Sequence, residues 1–246
     1  MGEPAYREIA DQIRADIEDQ RLIDGDRLPT VRDLALRYGV PTGTVSKAVD
    51  VLRADGVVIA RHGRGLYVSG FKRILRSSPA RLARSWWGEG KAIQDADTGS
   101  RIRVVHVEVQ ERPAPEHIAE VLSVPVGAAV LVRARRFAVE DRVVQTATSY
   151  IPLDVVAVAP AVAYTGPGPG GIYARMAEAG VGPEVFPERL ISRAPTPAEV
   201  AALSLPRGTW VLAITRRAYT AEKRCVEVNE MVLDGSAYEL EYVFGA

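Results

Sequence analysis

The amino-acid sequence predicts an α+β protein in two unequal parts: a helical head closed by a hairpin, and a larger, mainly antiparallel sheet domain with an internal repeat. Three observations lead there. Apolar residues recur at helical spacing over roughly the first 55 positions and then give way to short strand-like runs. Ten-residue stretches at 122–131 and 203–212 share one pattern, 81 residues apart. Between head and repeat, residues 56–85 hold seven basic side chains and no acidic one.

Tyr6, Ile9, Ala10, Ile13 and Ile17 fall on one helical face, so residues 4 to about 19 form an amphipathic helix with Pro4 in its first turn. Gly25 and Pro29 interrupt the chain. Thr30 is placed to cap a second helix with Leu34, Ala35 and Tyr38 on one side and Gly39 at its end. After Pro41 a third helix runs to about residue 55 along the stripe Val45, Ala48, Val49 and Leu52, and Gly56 stops it. Strand runs at 57–60 and 65–69 follow, joined by Arg61, His62, Gly63 and Arg64 as a basic hairpin tip. Three helices and such a wing make a winged helix-turn-helix. In that arrangement the last helix enters the DNA major groove N-terminus first, where Thr42, Thr44, Ser46 and Lys47 stand.

The stretches Leu28-Pro29-Thr30-Val31-Arg32-Asp33-Leu34-Ala35, Thr44-Val45-Ser46-Lys47-Ala48, Asp55-Gly56 and Gly63-Arg64-Gly65-Leu66-Tyr67-Val68 resemble the GntR family over about residues 6–69. The resemblance implies a bacterial regulator that binds double-stranded operator DNA as a homodimer. It implies that Arg32 contacts DNA, that the start of the third helix reads bases, and that Gly63 lets the wing approach the duplex. The family often has arginine where Thr42 and Ser46 stand. Fewer bidentate guanine contacts are therefore expected, with Arg32, Lys47 and the wing arginines carrying more of the binding. The candidate DNA-binding residues are Arg32, Thr42, Thr44, Ser46, Lys47, His62, Gly63 and Arg64. The plainer alternatives are an Arg32–Asp33 ion pair, a solvated Lys47, a Thr44 hydroxyl that only settles the first helical turn, and a His62 that is only a turn residue.

This head is assigned residues 1–70, and residues 71–100 are read as a basic linker and docking segment attractive to phosphate. Trp86 and Trp87 in it either cover a ligand or dock the two parts. Residues 101–246 form the second domain. In the repeat, Leu122-Ser123-Val124-Pro125-Val126-Gly127 corresponds to Leu203-Ser204-Leu205-Pro206-Arg207-Gly208, and Arg135-Arg136 to Arg216-Arg217 at the same offset. Each copy reads as a helix, a turn and a hairpin: 130–139 with 143–151, then 211–220 with 225–233. Strands at 102–109, 185–191 and 238–244 complete one sheet. The glycine-rich run 166–171 leads into a helix at 172–179. It either offers backbone N–H groups to an anion or is a plain loop.

The L-x-V-P-x-G motif, the arginine-bearing strand, Thr148-Ser149-Tyr150-Ile151-Pro152 and Val226-Glu227-Val228 resemble the UTRA effector domain of the HutC subgroup over about residues 101–244. This implies a chorismate-lyase-like fold that binds a small-molecule effector, dimerises, and tunes DNA binding. In members that sense phosphorylated sugars, two alternating arginines and two glutamates face the ligand. Arg135 and Glu227 match two of those positions, whereas Phe137 and Ala147 replace an arginine and a glutamate, which argues against an amino-sugar phosphate. Arg133, Thr148 and Tyr150 join Arg135 and Glu227 as candidate effector-binding residues. Cross-strand ion pairs are the plain alternative for Arg135 and Glu227.

Composition sets the limits. The 246 residues are 47% hydrophobic and 25% charged with zero formal net charge, enough to bury two cores. No apolar run nears the roughly 20 residues that span a bilayer, so no membrane partner and a cytoplasmic location are expected. One cysteine excludes an internal disulfide, and three scattered histidines offer no metal spacing; neither metal nor cofactor is expected. The expected function is a ligand-responsive regulator, a repressor on an inverted repeat. The alternatives are an enzyme of chorismate-lyase-like fold acting on a small organic acid, for which no nucleophile motif or paired carboxylates are evident, and a constitutive architectural DNA binder.

Overall fold

The computed structural model describes residues 4–61, 63–99, 101–166 and 170–243. In the head, α1 (Ala5–Glu18), α2 (Val31–Tyr38) and α3 (Thr42–Ala54) close on one apolar core that includes Ile9, Ile13, Leu34, Val45 and Leu52. Local chemistry fixes the ends of α2. Thr30 accepts from the Asp33 backbone N–H while Asp33 reaches back to Thr30, and Gly39 closes the helix at φ 64°. The wing is the antiparallel pair β1 (Val58–Arg61) and β2 (Gly65–Val68), and a bridge from Arg27 to Tyr67 ties it to the α1–α2 connection.

Next come β3 (Ile74–Ser77), α4 (Ser78–Leu82), α5 (Arg84–Trp87) and a 3-10 turn at Ile93–Ala96. These pack on the sheet domain. The anticipated strand at 238–244 does not join the large sheet: β10 (Tyr238–Glu241) pairs in parallel with β3 as a separate ribbon. Ile74, Phe137, Tyr238 and Met231 then share one core, which explains why the ribbon lies over the sheet rather than beside it.

The large sheet contains β4 (Arg103–Pro113), β5 (Ala129–Val139), β6 (Arg142–Pro152), β7 (Glu188–Arg193), β8 (Val211–Tyr219) and β9 (Cys225–Asp234), all antiparallel, in the order β4-β5-β6-β9-β8-β7. Helix α6 (Glu116–Leu122) follows β4 and α9 (Pro197–Leu203) follows β7 at the repeat offset, so each copy is a strand, a helix and a hairpin. Both helices end on a left-handed serine, Ser123 at φ 56° and Ser204 at φ 51°. The copies meet at β6 and β9, which puts a pseudo-twofold axis through the centre of the sheet. Between β6 and β7, α7 (Leu153–Val158), a 3-10 turn at Pro160–Ala163 and α8 (Gly171–Glu178) cover one end of a sheet face through Val155, Val162, Tyr173 and Met176.

Candidate functional site

At the DNA end, α3 begins after Pro41 with no side-chain cap, and Thr42, Ser46 and Lys47 are exposed, while Thr44 is half-buried. Arg32 is exposed on α2. Its neighbour Asp33 is engaged elsewhere, accepting from the Thr30 hydroxyl at 2.7 Å. In the wing, Gly63 and Arg64 are exposed at the tip, with Gly63 at φ 67°; His62 lies outside the described residues. Arg61 is the other wing arginine expected to carry binding. It is exposed on β1, with its guanidinium 4.5 Å from the Tyr67 ring centroid.

The basic run behind the wing is corrected in part. Arg76 and Arg81 are each 1% exposed, so neither is available to phosphate. Arg76 pairs with Glu188 at 2.7 Å, and Arg81 lies 3.4 Å from Asp97. Burial pushes the Arg81 guanidinium down to about 9, with Arg76 adding to the effect, and pushes the Asp97 carboxyl up. Lys72, Arg73 and Arg84 remain on the surface. Trp87 is buried edge-on against Tyr173, with centroids 6.2 Å apart, and its indole N–H donates to the Leu82 carbonyl. It docks α5 onto α8.

In the sheet, pairing register divides the candidate effector residues. Arg133 lies opposite Ser149 and Arg135 opposite Ala147; across β6, Ser149 faces Asn229, which puts Glu227 on the same side. Thr148 and Tyr150 occupy the alternate positions of β6 and therefore the opposite face, where Tyr150 packs with Ile118 and Leu122 of α6. The five do not converge on one surface, because neighbouring odd and even positions of a strand point to opposite faces. Phe137 and Ala147 are core residues beneath the β3–β10 ribbon.

Around Arg135 the face is polar and closed. Arg135 donates to the Ser149 hydroxyl at 2.8 Å. Arg133 is 4% exposed and donates to the carbonyls of Val162 and Tyr164, and burial pulls it down to about 10. The Tyr173 hydroxyl donates to Glu227 at 2.5 Å and accepts from Arg216 at 3.4 Å, and burial together with the nearby Glu227 carboxyl raises the phenol well above its ordinary value. Arg216 then reaches Glu188, completing a chain from Glu227 on β9 through Tyr173 of α8 to Arg76 on β3. On the part of this face around Arg133 and Arg135, four buried atoms make no hydrogen bond among the described residues: Arg133 Nε, Arg135 Nε, Glu227 Oε1 and Asn229 Oδ1. Two cationic donors and two acceptors without partners can bind an anionic group beside a hydrogen-bond donor. Asn229, Ser149 and Tyr173 were not singled out from sequence. Period-2 spacing from Glu227 was the available signal for Asn229.

Among the described residues no group of three or more His, Cys, Asp or Glu side chains could hold a metal ion, and no helix is long and apolar enough to cross a membrane.

Comparison with known proteins matches both parts. Residues 97–239 match the UTRA domain, and residues 5–68 match the bacterial regulatory proteins of the gntR family. An HTH-type transcriptional regulator of Streptomyces coelicolor is 28% identical over 98% of this chain and 93% of its own length. Another from Mycobacterium tuberculosis is 28% identical over 92% of this chain and 80% of its own. A crystal structure of a GntR-family transcriptional regulator superposes with TM-score 0.62 at 26% identity, covering 99% of this chain and 98% of that one. PhnF from Mycobacterium smegmatis shares the fold, with TM-score 0.55 at 20% identity over 97% of this chain and 99% of its own. With a DNA-binding head and a UTRA effector domain both matched, the chain belongs to the GntR family of bacterial transcription regulators.

Proposed function

We propose that the protein is a ligand-responsive repressor that occupies an inverted-repeat operator as a homodimer, with residues 1–70 as reading head and residues 101–246 as effector and dimerisation domain. The observation that carries this reading is the combination, in one chain, of an exposed α3 N-terminus and wing with a sheet face holding partnerless arginine donors. Arg32, Lys47, Arg61 and Arg64 hold the phosphate backbone, Thr42, Thr44 and Ser46 face base edges, and Gly63 gives the wing its close approach. The effector is a small molecule with an anionic group for Arg133 and Arg135 and a donor for Glu227 and Asn229; Thr148 and Tyr150, on the far face, shape the sheet instead. The unpaired outer edge of β4, with Val104 and Val105 exposed, is the type of surface that a second copy covers.

Selection of bound sequences from random duplex DNA, with sedimentation of the complex, tests the assembly. Two copies on a site with twofold symmetry are expected; one copy on a single half-site contradicts it. Sustained turnover of aromatic acid esters by the purified chain would restore the enzymatic alternative.

A further inference from the structure

A cleft of about 420 Å³ opens on the β7 side of the sheet, remote in sequence from Arg133 and Arg135, and shares no lining residue with the site proposed for the effector. Leu82 at the end of α4 and Ala83 just after it, with Phe186 and Leu190, form apolar walls. Ser78, Glu188 and the phenol of Tyr242 are the polar groups that line it. Its volume falls within the roughly 300–1,000 Å³ of small-molecule sites, and an apolar wall with a few placed polar groups is their usual make-up.

The repeat shows why this place is built as it is. Glu188 and Leu190 stand 81 residues after Val107 and Val109, so the cleft lies on the second copy's counterpart of the strand positions that flank Arg135 and Arg133 in the first. Here the arginine is already satisfied. Glu188 Oε1 accepts from both Arg76 and Arg216, at 2.7 and 2.9 Å. Glu188 Oε2 is buried and makes no hydrogen bond, although the carboxyl side chain is only 6% exposed. The Ser78 hydroxyl, close enough to help keep the Glu188 carboxyl ionised, also makes no hydrogen bond of ordinary geometry. With two guanidinium groups on one oxygen, the carboxylate charge is more than offset, so the free oxygen calls for a neutral donor rather than a further cation.

We propose that this cleft is a second ligand site, which takes a small, neutral, largely apolar molecule presenting one hydrogen-bond donor to Glu188 Oε2. The pairing of Glu188 with Arg216, and of Arg216 with Tyr173 and Glu227, places occupancy of this cleft in contact with the first site through three side chains.

The full-length protein titrated calorimetrically with 4-methylphenol, and with toluene as the same shape lacking the donor, tests the proposal. Saturable one-to-one binding of 4-methylphenol is expected, with toluene at least tenfold weaker. Ala83→Phe, which fills the cleft from the junction of α4 and α5, is expected to remove this binding while operator binding persists, so a failure here is separate from a failure of the regulator reading. Leu190→Trp fills the same space from the opposite wall and serves if Ala83→Phe fails to fold. Absence of saturable binding, equal affinity for toluene, or unchanged binding in a folded cleft-filling variant each overturns the proposal.

Discussion

Arg135 and Arg216 hold equivalent positions 81 residues apart in the two halves of the sheet, yet only Arg216 has a carboxylate on its edge strand. Glu188 lies 2.8 Å from Arg216, whereas Val107 stands opposite Arg135. A symmetric scaffold thus carries an asymmetric charge pattern. The second half is internally neutralised and ties β3 to the sheet through Arg76; the first leaves a cation whose remaining donor has no protein partner.

Removing the shared carboxylate should therefore be costly. Glu188→Ala leaves Arg76 and Arg216, each at most 1% exposed, without their counter-ion. Breaking a buried pair from one side costs about 3–5 kcal/mol, so urea unfolding should show a loss of that order with little change in slope. A loss under about 1 kcal/mol would mean that water enters and solvates the two guanidinium groups.

The same carboxylate gives a defined acid response. Burial opposes ionisation of Glu188, but Arg216 and Arg76 outweigh it and hold the carboxyl at about 2, against an ordinary 4.5. A depressed folded-state value means that its stabilisation is complete above pH 4.5 and is lost as pH falls from there towards 2. That contribution is about 3 kcal/mol at neutral pH. Asp97, raised by burial, works in the opposite direction, so the comparison should be with Glu188→Gln. The stability gap between the two proteins should be constant from pH 7 to about 5 and shrink below 4.5; a gap that stays constant down to pH 3 would contradict the assigned ion pair.

How much of this was legible depends on how far apart the interacting residues lie. Capping of α2 by Thr30 and its end at Gly39 are written within ten residues and were readable, whereas the reach of Asp33 back to Thr30 was not anticipated. So was the repeat, because its leucine, serine and glycine positions return as the same helix end and turn. Burial of Arg76 was not, since its partner Glu188 is 112 positions away and a basic run looks alike whether solvated or paired. Nor was the separation of Tyr150 from Arg135: each strand shows its own alternation, but which faces coincide is set by register across β5 and β6. The parallel pairing of β10 with β3 joins the two ends of the sheet domain, and no local signal announces it.

Cys225 provides a probe of global opening. It is 6% exposed in the core beside Val228 and Ile118, and burial pushes its thiol up to about 11. Because the thiolate is the reactive form, a disulfide reagent at pH 8 should label the native protein far more slowly than the urea-unfolded chain, and labelling should track unfolding as denaturant is added. Rapid labelling without denaturant would show that α6 does not stay closed over β9.

The proposed DNA-reading surface consists of the exposed α3 N-terminus, Arg32 and the wing. Fluorescence anisotropy of the full chain against DNA from upstream of its own gene, beside a scrambled duplex and across a salt series, tests it directly. Specific binding is expected to outlast the scrambled control as salt rises, and Arg32→Ala is expected to weaken operator binding with a shallower salt slope. Equal binding to both duplexes at every salt concentration, or Arg32→Ala binding the operator as tightly as the parent, would contradict it.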